Sequence, residues 1–229
     1  MTPPPVLLVH GLASSFELNW REPGWVDLLT EAGRTIIGPD VLGHGTAPKP
    51  HEPEAYADIE QRIRDEFPDE PVDAIGFSMG ARVLLTIATK EPELFNKLVV
   101  GGIGENVFRS GGNGDELARV MIEGAGPEAT DTQRAFAGFA AGSDNDPHAL
   151  AAFVRASRPP LTPEMVARVT CPTLVVLARE DFAGPAQPLV DALPDVKHVE
   201  LTGVDHFGTP KDFRFIDAAL DFIGAQPSY

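Results

Sequence analysis

Ser78 sits in the run Gly76-Phe77-Ser78-Met79-Gly80, a G-x-S-x-G pattern. A serine hydroxyl is a weak nucleophile until a base removes its proton, and that base is normally a histidine held in one tautomer by a carboxylate. The chain offers both at a distance, as Asp181 and His206, in the order Ser, Asp, His. A serine held on a sharp strand-to-helix turn projects its hydroxyl out of the sheet, where a base and a substrate can reach it. The flanking glycines have a steric reason, because side chains there would meet the neighbouring strand or helix.

These groups need a frame. The apolar stretch 72–77 predicts a buried strand and 81–90 a helix, which puts Ser78 at their junction. Further strand patterns at 6–9, 34–38, 97–100, 173–177 and 197–201 alternate with helical patterns at 24–32, 54–67, 186–193 and 211–223. Such alternation predicts an α/β fold, a doubly wound and mostly parallel sheet of about six strands with helices on both faces. From 105 to 168 the strand pattern stops. Helical stretches at 115–123, 131–141, 147–157 and 163–169, punctuated by Gly and Pro, read as a small helical cap inserted in a single domain spanning 1–229.

Catalytic groups in open parallel sheets gather at the carboxyl ends of the strands. Asp181 follows 173–177 by a short turn and His206 follows 197–201 by a short loop, so both fall at the edge that carries Ser78. Glu180 and Asp205 compete for the acid role, although Asp205 adjoins His206 and is badly placed to reach its ring. Of the remaining histidines, His10 reads as a structural hydrogen-bonder and His44 as a brace for the Gly43–Gly45 turn; His51, His148 and His198 read as exposed or incidental. No histidine pair has metal-ligand spacing and no carboxylate cluster has the pattern of a calcium loop, so no metal is expected.

With these residues in place, the sequence resembles the α/β-hydrolase superfamily, in its serine-nucleophile, small-cap, esterase-like branch. The matching elements are His10-Gly11, Asp40 with Gly43-His44-Gly45, the serine run, Cys171-Pro172-Thr173-Leu174-Val175-Val176 with Asp181, and Asp205-His206-Phe207. The resemblance implies Ser78 as nucleophile, Asp181 as acid, His206 as base, and the backbone N–H groups of Leu12 and Met79 as an oxyanion hole, with no cofactor. The chain begins at what would be the third strand of the full fold, so the first hairpin is expected to be missing. Ala178 stands where a glycine usually precedes the acid. Serine rather than aspartate at the nucleophile position argues against the haloalkane dehalogenase and epoxide hydrolase branches.

Residues that could bind substrate are less specific. Phe77 adjoins the nucleophile. Phe136 and Phe139, with Met121 and Phe153, recur at helical spacing and either pack the cap or line an acyl pocket. Arg82, four residues after Ser78, forms either a structural ion pair or a bidentate contact to a substrate carboxylate. Gly101, Gly102 and Gly104 make no convincing nucleotide fingerprint.

Composition narrows the remaining classes. The 229 residues carry 34 Asp and Glu against 18 Lys and Arg, a net charge of −16, which opposes phosphate-backbone binding. The single cysteine, Cys171, excludes an intrachain disulfide and reads as a buried structural thiol. Residues 1–5 lack the charged and apolar regions of a leader, and no stretch has the length of a membrane span, so a cytoplasmic protein is expected. The leading expectation is a serine esterase acting on a small-molecule ester of a small or medium acyl group, with thioesters and lactones as variants. A lyase is the second, since Ser78-Met79-Gly80-Ala81-Arg82 is similar to the elbow of the menaquinone-pathway synthase that eliminates pyruvate, where the arginine binds a carboxylate. The third is a non-catalytic ligand receptor of the same fold.

Overall fold

In the computed structural model the described residues are 2–109, 114–142, 145–156 and 158–226. Val6–Val9 (β1) and Val72–Phe77 (β3) are buried at every position, as strands covered on both faces must be. They form the middle of a sheet completed by Ile36–Ile37 (β2), Phe95–Gly101 (β4), Thr173–Ala178 (β5) and Val196–Leu201 (β6). The six strands run in the order β2-β1-β3-β4-β5-β6, and every pairing is parallel. One margin of the sheet is β2, only two residues long. The other is β6, on which Lys197, His198 and Glu200 are exposed.

Alternate residues of each strand feed two cores. Val6, Leu8, Ile75 and Val99 pack with Trp25–Glu31 (α1) and Phe213–Ile223 (α9), where Phe215 meets Trp25 edge to face at 5.0 Å. Leu7, Val9, Ala74 and Val100 pack on the other face with Ile59–Arg64 (α2), Met79–Ala88 (α3) and Gln187–Ala192 (α8). Asp73 is the polar exception within β3. It is fully buried, pairs with the Arg34 guanidinium, and accepts from Asn96 at 2.6 Å. Between β4 and β5 the chain forms Gly114–Glu123 (α4), Asp131–Ala140 (α5), Pro147–Arg155 (α6) and Pro163–Val166 (α7). A Thr130–Gln133 capping box starts α5 and the Asp146 carboxylate caps α6.

Several expected elements differ in extent. The strand expected at 34–38 shrinks to β2, because only Ile36 and Ile37 find ladder partners in Val6 and Leu7. The helix expected over 54–67 is a 3₁₀ turn, Pro53–Tyr56, followed by the separate α2. The helix expected from 211 starts at Phe213, where Asp212 accepts the Arg214 N–H. The helix expected over 147–157 stops at Arg155, and its expected last residue, Ser157, lies outside the described residues. Glu17–Arg21, to which the sequence pattern assigned no element, is one turn of π-helix. No described helix is long and apolar enough to cross a membrane.

Strand order reverses between β1 and β3, so the loops leaving their carboxyl ends diverge and open a crevice. Leu12 follows β1 and Ser78 follows β3.

Candidate active site

Ser78 joins β3 to α3 with φ 52° and ψ −110°, in a region that L-residues other than glycine rarely adopt. Its N–H donates to the Gly101 carbonyl at 2.8 Å, which ties the turn to β4. The close approach explains both glycines. A Cβ on Gly76 would stand 2.6 Å from the Ala81 Cα, and one on Gly80 would overlap the Val9 carbonyl.

The His206 Nε2 lies 2.9 Å from the Ser78 Oγ. Its Nδ1 lies 2.9 Å and 2.8 Å from the two Asp181 carboxylate oxygens. A carboxylate only accepts, so the proton resides on Nδ1 and leaves Nε2 free to accept from the serine hydroxyl. Asp181 Oδ1 also accepts the Ala183 N–H at 2.8 Å, which fixes the carboxylate. Asp181 and His206 are buried at 7% and 3% exposure, so their contact is shielded from water. Neither rival acid is at the ring: Glu180 is exposed, and Asp205 turns to its own loop to accept the Gly208 N–H at 2.8 Å.

Leu12 lies on the loop after β1, and Met79 is the first residue of α3. Neither backbone N–H has an acceptor among the described residues. Leu12, Phe77, Phe136 and Phe139 line a cavity of about 530 Å³ that Ser78 and His206 also line. Asn19 and Phe207, which the sequence did not single out for a site role, share it. The chemistry such a pocket permits is proton transfer between serine and histidine under an apolar aromatic wall.

Arg82 is placed differently from either expectation. It does not line the cavity at Ser78, and no carboxylate pairs with it among the described residues. Its guanidinium donates to the carbonyls of Pro159 at 2.7 Å and Val107 at 3.4 Å. It lines a neighbouring cavity of about 620 Å³, which shares Leu12 and Met79 with the elbow and also contains Arg109 and Arg158. Arg158 stacks on Phe153 with 4.0 Å from guanidinium carbon to ring centre. Its Nε and Nη2 are buried without a hydrogen-bond partner among the described residues. Burial pushes the pKa of both Arg82 and Arg158 down, the Glu60 carboxylate opposes this for both, and Arg82 pushes Arg158 further down. Nothing in the run Arg158-Pro159-Pro160 signals this placement, because only the folded segment brings Arg158 over Phe153.

The remaining candidates resolve simply. His10 is a buried hydrogen-bonder, with Nδ1 on the Gly11 carbonyl at 2.8 Å and Nε2 accepting the Val41 N–H at 3.0 Å. Asp40 Oδ1 is 3.8 Å from that Nε2, too far for a hydrogen bond. His44 Nδ1 meets the Leu42 carbonyl at 3.1 Å. His51 is exposed, as expected, and it bonds Asp146 at 2.9 Å, which links the loop before α2 to the cap of α6. Cys171 is buried, and burial pushes its thiol up to about 11. Among the described residues no group of three or more His, Cys, Asp or Glu side chains could hold a metal ion.

The family described as the alpha/beta hydrolase fold matches residues 4–121. The chain belongs to this family. An uncharacterized protein of Mycobacterium tuberculosis (strain ATCC 25618 / H37Rv) is 30% identical to this α/β-hydrolase over 110 residues, 45% of this chain and 31% of that protein. The 2-hydroxymuconate semialdehyde hydrolase of Pseudomonas sp. (strain CF600) is 28% identical over 104 residues, 43% of this chain and 36% of its own length. The sn-1-specific diacylglycerol lipase ABHD11 of Xenopus laevis is 33% identical over 104 residues, 42% of this chain and 31% of its own. The chain thus spans only about a third of the length of these curated relatives (31–36%). Solved structures extend the likeness in fold across the whole α/β-hydrolase chain. The enol-lactonase of Burkholderia xenovorans LB400 superposes with a TM-score of 0.74 at 16% identity, over 98% of this chain and 92% of that one. The 2-hydroxy-6-oxo-6-phenylhexa-2,4-dienoate hydrolase (BphD) of Rhodococcus sp. strain RHA1 gives 0.71 at 20% identity, over 97% and 90%.

Proposed function

We propose that this chain is a cofactor-independent serine hydrolase that cleaves a carboxylic ester of a small or medium acyl group through an acyl-enzyme. The observation that carries the reading is the 2.9 Å contact from Ser78 Oγ to His206 Nε2, with His206 Nδ1 on Asp181. In the first half-reaction the Ser78 proton passes to His206 Nε2 as Oγ bonds the ester carbonyl carbon. The carbonyl oxygen becomes an oxyanion, which the Leu12 and Met79 N–H groups stabilise, with the positive end of the α3 dipole behind Met79. The C–O bond to the alcohol then breaks, and the alkoxide takes the proton from His206. In the second half-reaction water loses a proton to His206 and attacks the acyl carbon; as the Ser78–acyl bond breaks, Ser78 Oγ takes that proton back from His206 and the acid is released. Asp181 keeps the imidazole in the required tautomer throughout. Phe77, Phe136 and Phe139 form an apolar wall for the acyl or alcohol group, and residues 105–168 act as the cap. Thioesters and lactones present the same carbonyl chemistry.

The test is labelling by a fluorophosphonate probe together with hydrolysis of short p-nitrophenyl esters. The wild type should be labelled and active, and Ser78→Ala should lose both. Full labelling of Ser78→Ala would remove the nucleophile assignment.

A second reading concerns the substrate's charge and keeps a lyase in play. Three arginines, Arg82, Arg109 and Arg158, line the cavity beside the elbow with a single carboxylate, Glu60, and the Arg158 Nε and Nη2 are buried with no acceptor among the described residues. An unpaired buried cation is costly, and a carboxylate is the natural bidentate partner of a guanidinium. The cavity therefore suits an anionic arm on the substrate, as a hydrolysed dicarboxylate monoester or an eliminated acid would have. Arg158→Ala should raise KM for an anionic ester ~10-fold or more and leave a neutral ester nearly unchanged. An equal effect on both removes this reading while leaving the hydrolase assignment intact.

A further inference from the structure

The peptide unit that carries the Leu12 N–H has the Gly11 carbonyl as its other polar end. In a trans peptide the two point in opposite directions, so whatever fixes the carbonyl also aims the N–H. The Gly11 carbonyl takes the His10 Nδ1 at 2.8 Å and the Ser14 N–H at 3.3 Å. The proton must be on Nδ1, because Nε2 already accepts the Val41 N–H at 3.0 Å. His10 is wholly buried, and burial pushes its pKa below the ordinary 6.5, which keeps the ring neutral with a single N–H. The preceding peptide is held from the other side: the Gly11 N–H donates to Asn19 Oδ1 at 2.8 Å. Asn19 is 4% exposed and sits in the single turn of π-helix, a rare element that occurs disproportionately at functional sites. The next residue, Ala13, is held at φ 57°, so this loop is in a strained conformation that its neighbours enforce.

We infer that His10 and Asn19 are positioning residues that grip the two peptides flanking Gly11 and so aim the Leu12 N–H at the oxyanion formed on the Ser78 adduct. The inference rests on the hydrolase reading, which makes Leu12 an oxyanion donor. Neither side chain reacts. Each acts through the backbone, and a donor aimed in advance costs no reorganisation as charge develops. Hydrogen bonding at the carbonyl also polarises the peptide, which makes its N–H a stronger donor.

A misaimed donor affects the transition state and not the ground state, which separates this role from simple support. The experiment compares wild type, Asn19→Ala and the near-isosteric Asn19→Leu on a short p-nitrophenyl ester. It also measures inhibition by phenylboronic acid, whose tetrahedral serine adduct mimics the intermediate. The expected result is a kcat lower by ~10- to 100-fold with KM within about twofold, and boronate affinity weakened by the same factor as kcat/KM. A rise in KM alone, or unchanged kcat in folded variants, overturns the inference. Should neither variant fold, the wild type still decides through its 15N-resolved amide spectrum. The Gly11 N–H should resist hydrogen exchange, and the Leu12 N–H should shift downfield when boronate binds; an unmoved Leu12 resonance in a bound complex overturns it. A wild type that neither hydrolyses ester nor takes the fluorophosphonate overturns the hydrolase reading, and this inference with it.

Discussion

The Phe182 ring lies 4.2 Å from the His206 imidazole, tilted by 38°, although Phe182 itself is 46% exposed. A phenyl face this close covers the imidazole on the solvent side and presents its negative quadrupole to any positive charge that develops there. Such a contact is worth about 0.5–2 kcal/mol. Phe182→Ala should therefore lower kcat by ~2- to 30-fold on a p-nitrophenyl ester, and Phe182→Tyr should retain most of it. An unchanged kcat in Phe182→Ala would show that the ring only fills space.

Ser78 is held at φ 52°, where a side chain is strained and glycine is at ease. Replacing it by alanine keeps the Cβ and the strain, whereas glycine removes both. The left-handed penalty of about 1–2 kcal/mol exceeds the entropy that glycine adds to the unfolded chain. Ser78→Gly should thus unfold at a higher urea concentration than Ser78→Ala, by a margin near 1 kcal/mol. Equal midpoints would mean that the turn relaxes in the variants.

Acid sensitivity should come first from buried histidines. Burial pushes His44 from 6.5 down to about 3, and His10 moves in the same direction. Both rings stay neutral in the fold, while in the unfolded chain each takes a proton as pH falls below 6.5. The unfolded state then binds more protons, so stability is complete above that value and declines as the pH drops towards the folded pKa. The slope is up to about 1.4 kcal/mol per pH unit for each ring. Urea midpoints measured from pH 7 to 5, above the carboxylate range, should fall, and His44→Leu should remove about half of the slope.

Arg34 and Asp73 form an ion pair with side-chain exposures of 2% and 1%. Removing one partner leaves the other charge buried, at a cost of about 3–5 kcal/mol. Arg34→Met should unfold far more easily than wild type, and adding Asp73→Leu should recover a substantial part of the loss. A double variant no better than Arg34→Met would show that the Arg34 bonds to the Pro4 carbonyl matter more than its charge.

Much of this architecture was legible because burial on two faces imposes uninterrupted apolar runs. β1 and β3 read correctly to the residue for that reason. β2 did not, since its two residues are set by pairing with Val6 and Leu7 and not by their own pattern. Ser78, Asp181 and His206 could be picked out because each follows a strand, and strand ends are readable. Arg82 was noticed by its spacing from Ser78, but its carbonyl partners, Val107 and Pro159, lie 25 and 77 residues away and leave no local mark. Asn19 was missed because no periodicity announces a π-turn. Phe182 was missed although it adjoins Asp181, for its contact with His206 exists only once two loops meet.

The margins of the sheet have a consequence for behaviour in concentrated solution. A two-residue β2 gives an incoming strand almost no ladder to extend, and Lys197, His198 and Glu200 place polar side chains along the opposite rim. Neither rim is a good template for intermolecular strand addition, so association by edge-to-edge zipping into fibres is disfavoured even when molecules crowd together.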